Sequence, residues 1–351
     1  MRHLTLALLN LPLILSAQTL AGTFPANRTA LMEEFTAVNC GNCPAGHMVA
    51  ADLQSSQGNN LVVVSINAGG LAVPAAGQPD LRTTEGTALF NSYFVNATPK
   101  AVVGRSTYNG FTALSSGNWG LAVDAVLQQA SPVNIGLSSS FDSGTRLLTV
   151  DVELYYTASS PGGSDYISVL LKEDHIVAYQ SDYGPNGPQE FYDHKNVLRA
   201  FLTPLWGDEV TTTALGTLVT RTYTYPVPLG FDIANCSTVA FVGEYQSTVH
   251  QAREVASDGG ITLGIADDAA SVFGTPFPIP ATDFVNVPLE AAFTGGSVEM
   301  LDLAGKVLFQ QRIAAGQSFL QFDVASLASG TYVLKQAHSD RAQSRLFVVQ
   351  R

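Results

Sequence analysis

The segment TALMEEFTAVNCGNCPAGH, residues 29–47, decides the fold of the N-terminal part of the chain. Thr29–Thr36 is typical of a strand, and the residues after the two cysteines predict a helix through Leu53. Cys40 therefore lies at a helix N-terminus, where the partial positive charge and the free N–H groups stabilise a thiolate. The two intervening residues let Cys43 attack a mixed disulfide formed by Cys40, so the motif is typical of a redox pair.

A Cys-X-X-Cys motif beside alternating strands and helices predicts a thioredoxin-like α/β domain, here over residues 28–130. Leu61–Ile66 is a continuous run of mostly β-branched residues, which is typical of a strand buried on both faces. Glu34 lies six residues before Cys40 on the incoming strand, and Pro99 precedes the next short strand. Both positions fit a redox pair in such a domain.

Residues 33–47 also resemble the N-terminal signature of the 28-kilodalton outer membrane protein (Omp28-related) family, whose first domain is thioredoxin-like. The resemblance implies that Glu34 is a buried proton acceptor and that Pro99 is a cis-proline beside the cysteines. The sequence departs from active thioredoxins at Asn39, where an aromatic residue is usual, and at Pro44, which follows the pair instead of lying within it. These departures leave the activity of the pair open.

Residues 133–263 consist of alternating strand patterns separated by Gly- and Pro-rich turns, which predicts a β-sandwich domain. Asn196–Phe201 is expected to be a short helix. The segments 171–177 and 192–199 resemble the second domain of the same family, so the resemblance covers roughly residues 28–265. The overall prediction is a multidomain α/β plus all-β protein.

Composition and the N-terminus predict an exported protein. The chain has 351 residues, 46% of them hydrophobic and only 13% charged, with a formal net charge of −12. This balance excludes intrinsic disorder and argues against a nucleic-acid partner, and three cysteines are too few for a disulfide framework. A basic start and the apolar run Leu4–Leu15 precede the small residues Ser16 and Ala17, so residues 1–17 are predicted to be a signal peptide.

The C-terminal part carries a predicted export address. Residues 264–276 are a linker by composition, and residues 277–351 form a small all-β block. The segment FPIPATDFVNV, residues 277–287, resembles the start of a type IX secretion sorting domain, a small Ig-like β-sandwich, except at Ile279, where Asn is usual. The resemblance implies passage through the type IX secretion machinery and a location at the cell surface, in the outer membrane or outside the cell. An Ig-like adhesion module is the alternative.

Other residues have simpler interpretations. His47 is expected on the solvent face of its helix, and with the two cysteines it offers too few ligands for a zinc site. Cys236 is expected to be a buried small apolar residue. The loop 182–193 carries oxygen ligands that could hold Ca²⁺, but it lacks the EF-hand pattern and is expected to be solvated. The aromatic residues around this loop are expected to cover the edge of the sandwich: Tyr179, Tyr183, Phe191 and Tyr192.

Three functions remain. The first is an exported surface protein that binds a ligand or another protein and keeps Cys40 and Cys43 in a structural disulfide. The second is an extracytoplasmic thiol–disulfide oxidoreductase in which Cys40 attacks, Cys43 resolves, Glu34 relays protons and Pro99 aligns the substrate backbone. The third is a carbohydrate-binding accessory protein. Turnover needs a reducing partner that is hard to supply outside the outer membrane, so the first is preferred, with no cofactor and no metal.

Overall fold

Residues 20–262, 276–289, 296–302, 306–313, 317–337 and 343–350 are described by a computed structural model. They fall into two units, one up to residue 262 and one from residue 276 onward, and each is described by itself. The signal peptide predicted for residues 1–17 lies outside the described residues, as does the predicted linker 264–276 except for its last residue.

The first unit combines many strands with three α-helices among its described residues, and none of these helices is long and apolar enough to cross a membrane. The helices are α1 (Cys43–Gln57), α2 (Thr84–Ser92) and α3 (Trp119–Leu127), with 3-10 turns at Gly58–Asn60, Gly70–Ala72, Ser116–Asn118 and Ile233–Asn235. The strands are β1 (Ala26–Asn27), β2 (Ala30–Thr36), β3 (Leu61–Asn67), β4 (Lys100–Val103), β5 (Ala130–Ser131), β6 (Val133–Asp142), β7 (Leu147–Tyr156), β8 (Asp165–Glu173), β9 (Ile176–Gln180), β10 (Gln189–His194), β11 (Val197–Phe201), β12 (Asp208–Val210), β13 (Leu218–Pro226), β14 (Cys236–Gly243), β15 (Val249–Ala256) and β16 (Ile261–Thr262).

An eight-stranded mixed sheet organises this unit, in the order β15-β14-β8-β11-β3-β2-β4 with β12 paired to β8. β2 and β3 are parallel, and β11 continues the parallel set with Val197 opposite Ser65. β11 also pairs antiparallel with β8. The sheet therefore crosses the boundary predicted between residues 130 and 133, because strands from both sides of it are hydrogen-bonded to one another.

The strands of this sheet send alternate side chains into different cores, which explains their nearly complete burial. Val169 and Leu171 of β8 belong to a core shared with the four-stranded sheet β13-β7-β6-β16, and the two sheets form a β-sandwich. Leu170 between them belongs to a core that contains Leu89 of α2. Further along the sheet, β2, β3 and β4 pack against α1 and α3 around the fully buried Trp119.

The helix expected over Asn196–Phe201 is wrong, since β11 occupies Val197–Phe201. The segment is short, and its main-chain groups are taken by β3 on one side and β8 on the other. Pairing across the sheet therefore overrides the local preference of these residues.

The second unit is all β. Its strands are β17 (Phe284–Pro288), β18 (Gly296–Asp302), β19 (Val307–Ile313), β20 (Phe319–Asp323), β21 (Gly330–Ala337) and β22 (Gln343–Val349). They form a four-stranded sheet, β19-β18-β21-β22, and a pair, β17-β20. Both sheets contribute to one core, with Val285 and Phe322 from the pair and Met300 and Leu334 from the larger sheet. This arrangement agrees with the predicted small β-sandwich.

Lys172 of β8 is a buried cation that ties the eight-stranded sheet together. Its ammonium group donates to the carbonyl oxygen of Val63 at 3.0 Å and to Asn196 Oδ1 at 2.7 Å, and it pairs with Glu254 Oε2 at 2.8 Å. These partners belong to β3, the residue before β11, and β15. One side chain thus connects the segments on both sides of the predicted domain boundary.

We expect Lys172→Met to lower the free energy of unfolding by about 3–5 kcal/mol, because the Val63 carbonyl and the Glu254 carboxylate lose their buried cationic partner. Urea unfolding measures the change. Lys195→Met is the matched control, since the Lys195 side chain is 57% exposed and its contact with Asp193 spans 3.9 Å. Equal stabilities of the two variants would contradict a structural role for Lys172.

Candidate functional site

The two cysteines lie in the turn between β2 and α1. The turn is closed by main-chain hydrogen bonds from Cys40 N–H to the Ala37 carbonyl at 3.0 Å and from Cys43 N–H to the Cys40 carbonyl at 3.1 Å. Pro44 lies in the first helical turn, where a missing N–H costs no helical hydrogen bond. Cys40 and Cys43 are joined in a disulfide, with their Cα atoms 5.4 Å apart.

The other two predicted site residues lie beside this turn. The Thr98–Pro99 peptide bond is cis, and the Thr98 carbonyl oxygen lies 3.4 Å from Cys40 Sγ. Gly46 of α1 fits between Pro99 and Glu34, because a Cβ there would lie 2.8 Å from Pro99 Cβ and 3.2 Å from Glu34 Oε1. The fold therefore brings all four predicted residues together around the start of α1.

Glu34 is a fully buried acid on β2. Ser65 Oγ donates to its Oε2 at 3.1 Å, while Oε1 has no hydrogen-bond partner among the described residues. Burial raises the pKa of the Glu34 carboxyl from 4.5 to about 8, and the Ser65 hydrogen bond only partly opposes this shift. The side chain is therefore predominantly a neutral acid at pH 7.

His47 does not face solvent, contrary to expectation. Its side chain is only 15% exposed, and its ring nitrogens make 2.8 Å hydrogen bonds to the hydroxyls of Thr36 and Tyr192. Burial, assisted by repulsion from His194, lowers the pKa of His47 to about 4. Although His47 Nε2 lies 4.0 Å from Glu34 Oε1, both groups are mostly uncharged at pH 7, so the contact is not an ion pair.

The hairpin β9-β10, residues 176–194, covers the disulfide. Ser181 N–H donates to the Val38 carbonyl and Tyr183 N–H to the Gly41 carbonyl, each at 2.8 Å. The buried amide of Gln180 donates to the carbonyls of Ala37 at 3.2 Å and Cys40 at 3.0 Å. The hairpin is thus fixed to the cysteine turn mainly through the turn's own backbone carbonyls.

The hairpin leaves little of the disulfide accessible. Cys40 is 3% exposed and Cys43 is fully buried. The ring of Tyr183 lies directly over Gly41, where an added Cβ would collide with the ring in this position. Tyr183 therefore covers the cysteine turn, whereas the sequence predicts that the loop aromatics cover the edge of the sandwich.

The remaining candidate residues have structural partners. Cys236 is buried at the start of β14, as predicted, and burial raises the pKa of its thiol to about 12. In the loop 182–193, Asp182 accepts from Gly184 N–H and from Gln189, whereas Asp193 contacts His175 and Lys195. In the described part of the chain, no group of three or more His, Cys, Asp or Glu side chains is placed to hold a metal ion.

Comparisons with known proteins agree with this architecture. Residues 86–258 match the family described as outer membrane protein Omp28, and residues 275–350 match the family described as a secretion system C-terminal sorting domain. No curated protein matches the sequence.

Solved structures are similar in fold only. HBP35 of Porphyromonas gingivalis has a TM-score of 0.53 at 16% identity and covers 94% of this chain and 100% of its own. A structural genomics target from Agrobacterium tumefaciens has a TM-score of 0.41 at 13% identity, covering 69% and 97%. A domain of the outer membrane lipoprotein Omp28 from Porphyromonas gingivalis has a TM-score of 0.25 at 24% identity, covering 36% and 87%.

The two family matches account for most of the chain and identify its cellular location. A type IX sorting domain implies interaction with the secretion machinery. The chain therefore contains an Omp28 family domain followed by a type IX C-terminal sorting domain, and it is exported to the cell surface or outer membrane.

Proposed function

We propose that this protein is an exported surface binding protein in which the Cys40–Cys43 disulfide has a structural role. The observation that carries the proposal is the hairpin 176–194, which closes over the disulfide. A thiol–disulfide oxidoreductase must expose one sulfur to its substrate, because exchange begins with attack of a thiolate on that sulfur. With Cys40 only 3% exposed, a folded protein substrate has no approach to it while the hairpin is in place.

A structural disulfide has a clear use in this turn. It fixes the conformation of residues 37–43, whose carbonyls accept the hydrogen bonds from Gln180, Ser181 and Tyr183. The disulfide thereby holds in place the surface on which the hairpin lies. Disulfides of this kind persist in the oxidising environment outside the cell.

We expect the full-length protein not to accelerate insulin reduction by dithiothreitol, and a variant with both Cys40→Ser and Cys43→Ser to give the same background rate. The free energy of unfolding of the same double variant should be about 2 kcal/mol lower, since a short disulfide loop contributes about that much. Turnover above background that disappears in the double variant would overturn the structural role.

The covering hairpin can be tested through the rate at which dithiothreitol reduces the disulfide. Tyr183→Ala removes the ring above Gly41, so we expect reduction to be several times faster than in the unmodified protein. Phe191→Ala is the matched control, since this exposed aromatic residue lies in the same hairpin but not over Gly41. The same rate in all three proteins would show that the hairpin does not protect the disulfide.

Thiol–disulfide exchange is the second candidate, and one observation favours it. The prediction that residues 28–130 are thioredoxin-like makes Glu34 a proton relay, and a carboxyl with a pKa of about 8 can exchange a proton near neutral pH. In that mechanism Cys43 leaves as a thiolate when the disulfide is reduced and takes a proton from Glu34, while Pro99 aligns the substrate backbone.

The buried acid predicts a pH dependence of stability. Glu34 keeps its proton up to about pH 8 in the folded state but loses it near pH 4.5 when unfolded, so its contribution lowers the free energy of unfolding as pH rises between these values. His47, neutral when folded above about pH 4, opposes this trend only up to pH 6.5. Between pH 6.5 and 8 we therefore expect a fall of about 2 kcal/mol that Glu34→Gln abolishes. Urea titrations at both pH values measure it, and equal falls in both proteins would contradict the burial of an acid here.

A further inference from the structure

A second concave site lies on the first unit, away from the disulfide. It is a cleft of about 410 Å³ built where four connections meet: the end of α2, the turn after β4, the segment before β12 and the β14-β15 turn. This volume lies in the range of small-molecule sites, roughly 300–1,000 Å³. No residue of the cysteine turn or of the hairpin lines the cleft.

The cleft combines aromatic surface with neutral polar groups. Trp206 and Tyr93 line it and meet edge to face, with ring centroids 6.3 Å apart. Most of the other lining residues carry hydroxyls or an amide: Ser92, Thr107, Thr112, Gln246, Ser247 and Thr248. The Tyr93 hydroxyl is buried and has no hydrogen-bond partner among the described residues. The cleft therefore offers a ligand aromatic surface and neutral hydrogen-bonding groups.

The charge of the cleft is balanced internally. Arg105 is its one cation among the lining residues, and its Nε and Nη2 donate to the buried carboxylate of Glu33, with the shortest contact at 2.7 Å. The guanidinium also lies 5.5 Å from the ring centroid of Trp206 and 4.6 Å from that of Phe241, which fixes its plane. Since Glu33 neutralises this cation, the cleft offers no net positive charge to an anion.

Two of the seven non-glycine residues with positive φ in the described part of the chain line the cleft. Arg105 and Gln246 both line the cleft and have φ angles of 49° and 54°, a region that residues other than glycine rarely adopt. Such strain persists where the surrounding structure fixes it, and it clusters at ligand sites. Both residues line the cleft, and the side-chain amide of Gln246 can donate and accept hydrogen bonds.

We propose that this cleft binds one or two rings of a neutral carbohydrate. Aromatic faces pack against the C–H faces of sugar rings, and hydroxyl and amide groups pair with sugar hydroxyls. The paired state of Arg105 disfavours a phosphorylated or carboxylated sugar. The inference deepens the binding role proposed above by naming its ligand class, and it does not depend on the redox state of the cysteines.

Tryptophan fluorescence tests the proposal on the full-length protein, because the chain has two tryptophans and Trp119 is fully buried in the core. We expect the fluorescence of Trp206 to change and to saturate at millimolar concentrations of glucose, galactose, mannose, N-acetylglucosamine or a disaccharide of these. Saturation-transfer NMR on the same sugars detects binding that leaves the fluorescence unchanged. Glucose 6-phosphate should bind more weakly than glucose.

Variants connect the binding to this cleft. Gln246→Asn shortens the amide while keeping a residue that tolerates positive φ, and combined with Thr107→Ala it should weaken binding about tenfold, as expected for one or two lost hydrogen bonds. Phe191→Ala in the hairpin should bind as the unmodified protein does.

The proposal is overturned if none of these sugars binds by either method, if glucose 6-phosphate binds more tightly than glucose, or if the Gln246 and Thr107 variant retains full affinity. The cysteine double variant should bind normally, so failure of the structural role of the disulfide and failure of the cleft are separate results.

Discussion

The pairing of β11 with β3 is the constraint on which both the covered disulfide and the cleft depend. β8 ends and β11 begins level with Ser65, since Glu173 and Val197 are paired and Val197 lies opposite Ser65. Ser65 in turn is the neighbour of Glu34 on β2. The chain between β8 and β11 must therefore leave the sheet beside the cysteine turn, which is why the hairpin lies over the disulfide. At the other end of β8, its neighbour β14 ends, and the turn between β14 and β15 forms one wall of the cleft.

Exclusion of water explains the protonation states of the titratable groups around the disulfide. A carboxyl and an imidazole 4.0 Å apart would form an ion pair in water, but here burial favours the neutral form of each group. His47 keeps its ring nitrogens satisfied through the hydroxyls of Thr36 and Tyr192, the second of which comes from the hairpin. The hairpin therefore contributes a polar partner as well as a cover, and removing it would hydrate both titratable groups.

Local patterns in the sequence predict much of this architecture, and long-range pairing accounts for what they miss. The helix after Cys43 and the buried strand that includes Val63 follow from local sequence patterns, whereas the placement of Glu34 and Pro99 beside the cysteines is implied by the family resemblance. The thioredoxin-like assignment stays a prediction, because the Omp28 match begins at residue 86. The burial of His47 depends on Tyr192, which lies 145 residues away in the chain, and no local periodicity signals that contact. The aromatic cluster around the loop 182–193 was the available signal, but nothing in its sequence indicates which surface it covers.

The structural role that we propose for the disulfide depends on closure of the hairpin over it. A two-stranded hairpin is marginally stable by itself, so its position depends on its bonds to the cysteine turn and on the contacts of Tyr179 with Gln78 and of Tyr192 with His47. Tyr183 is 77% exposed and Phe191 86%, so burial of these rings adds little to the closure. Local opening of such an element costs much less free energy than global unfolding. A small thiol reaches Cys40 whenever the hairpin opens, whereas a protein substrate must hold the hairpin open. The free energy of hairpin opening therefore decides whether the disulfide is structural or takes part in thiol–disulfide exchange.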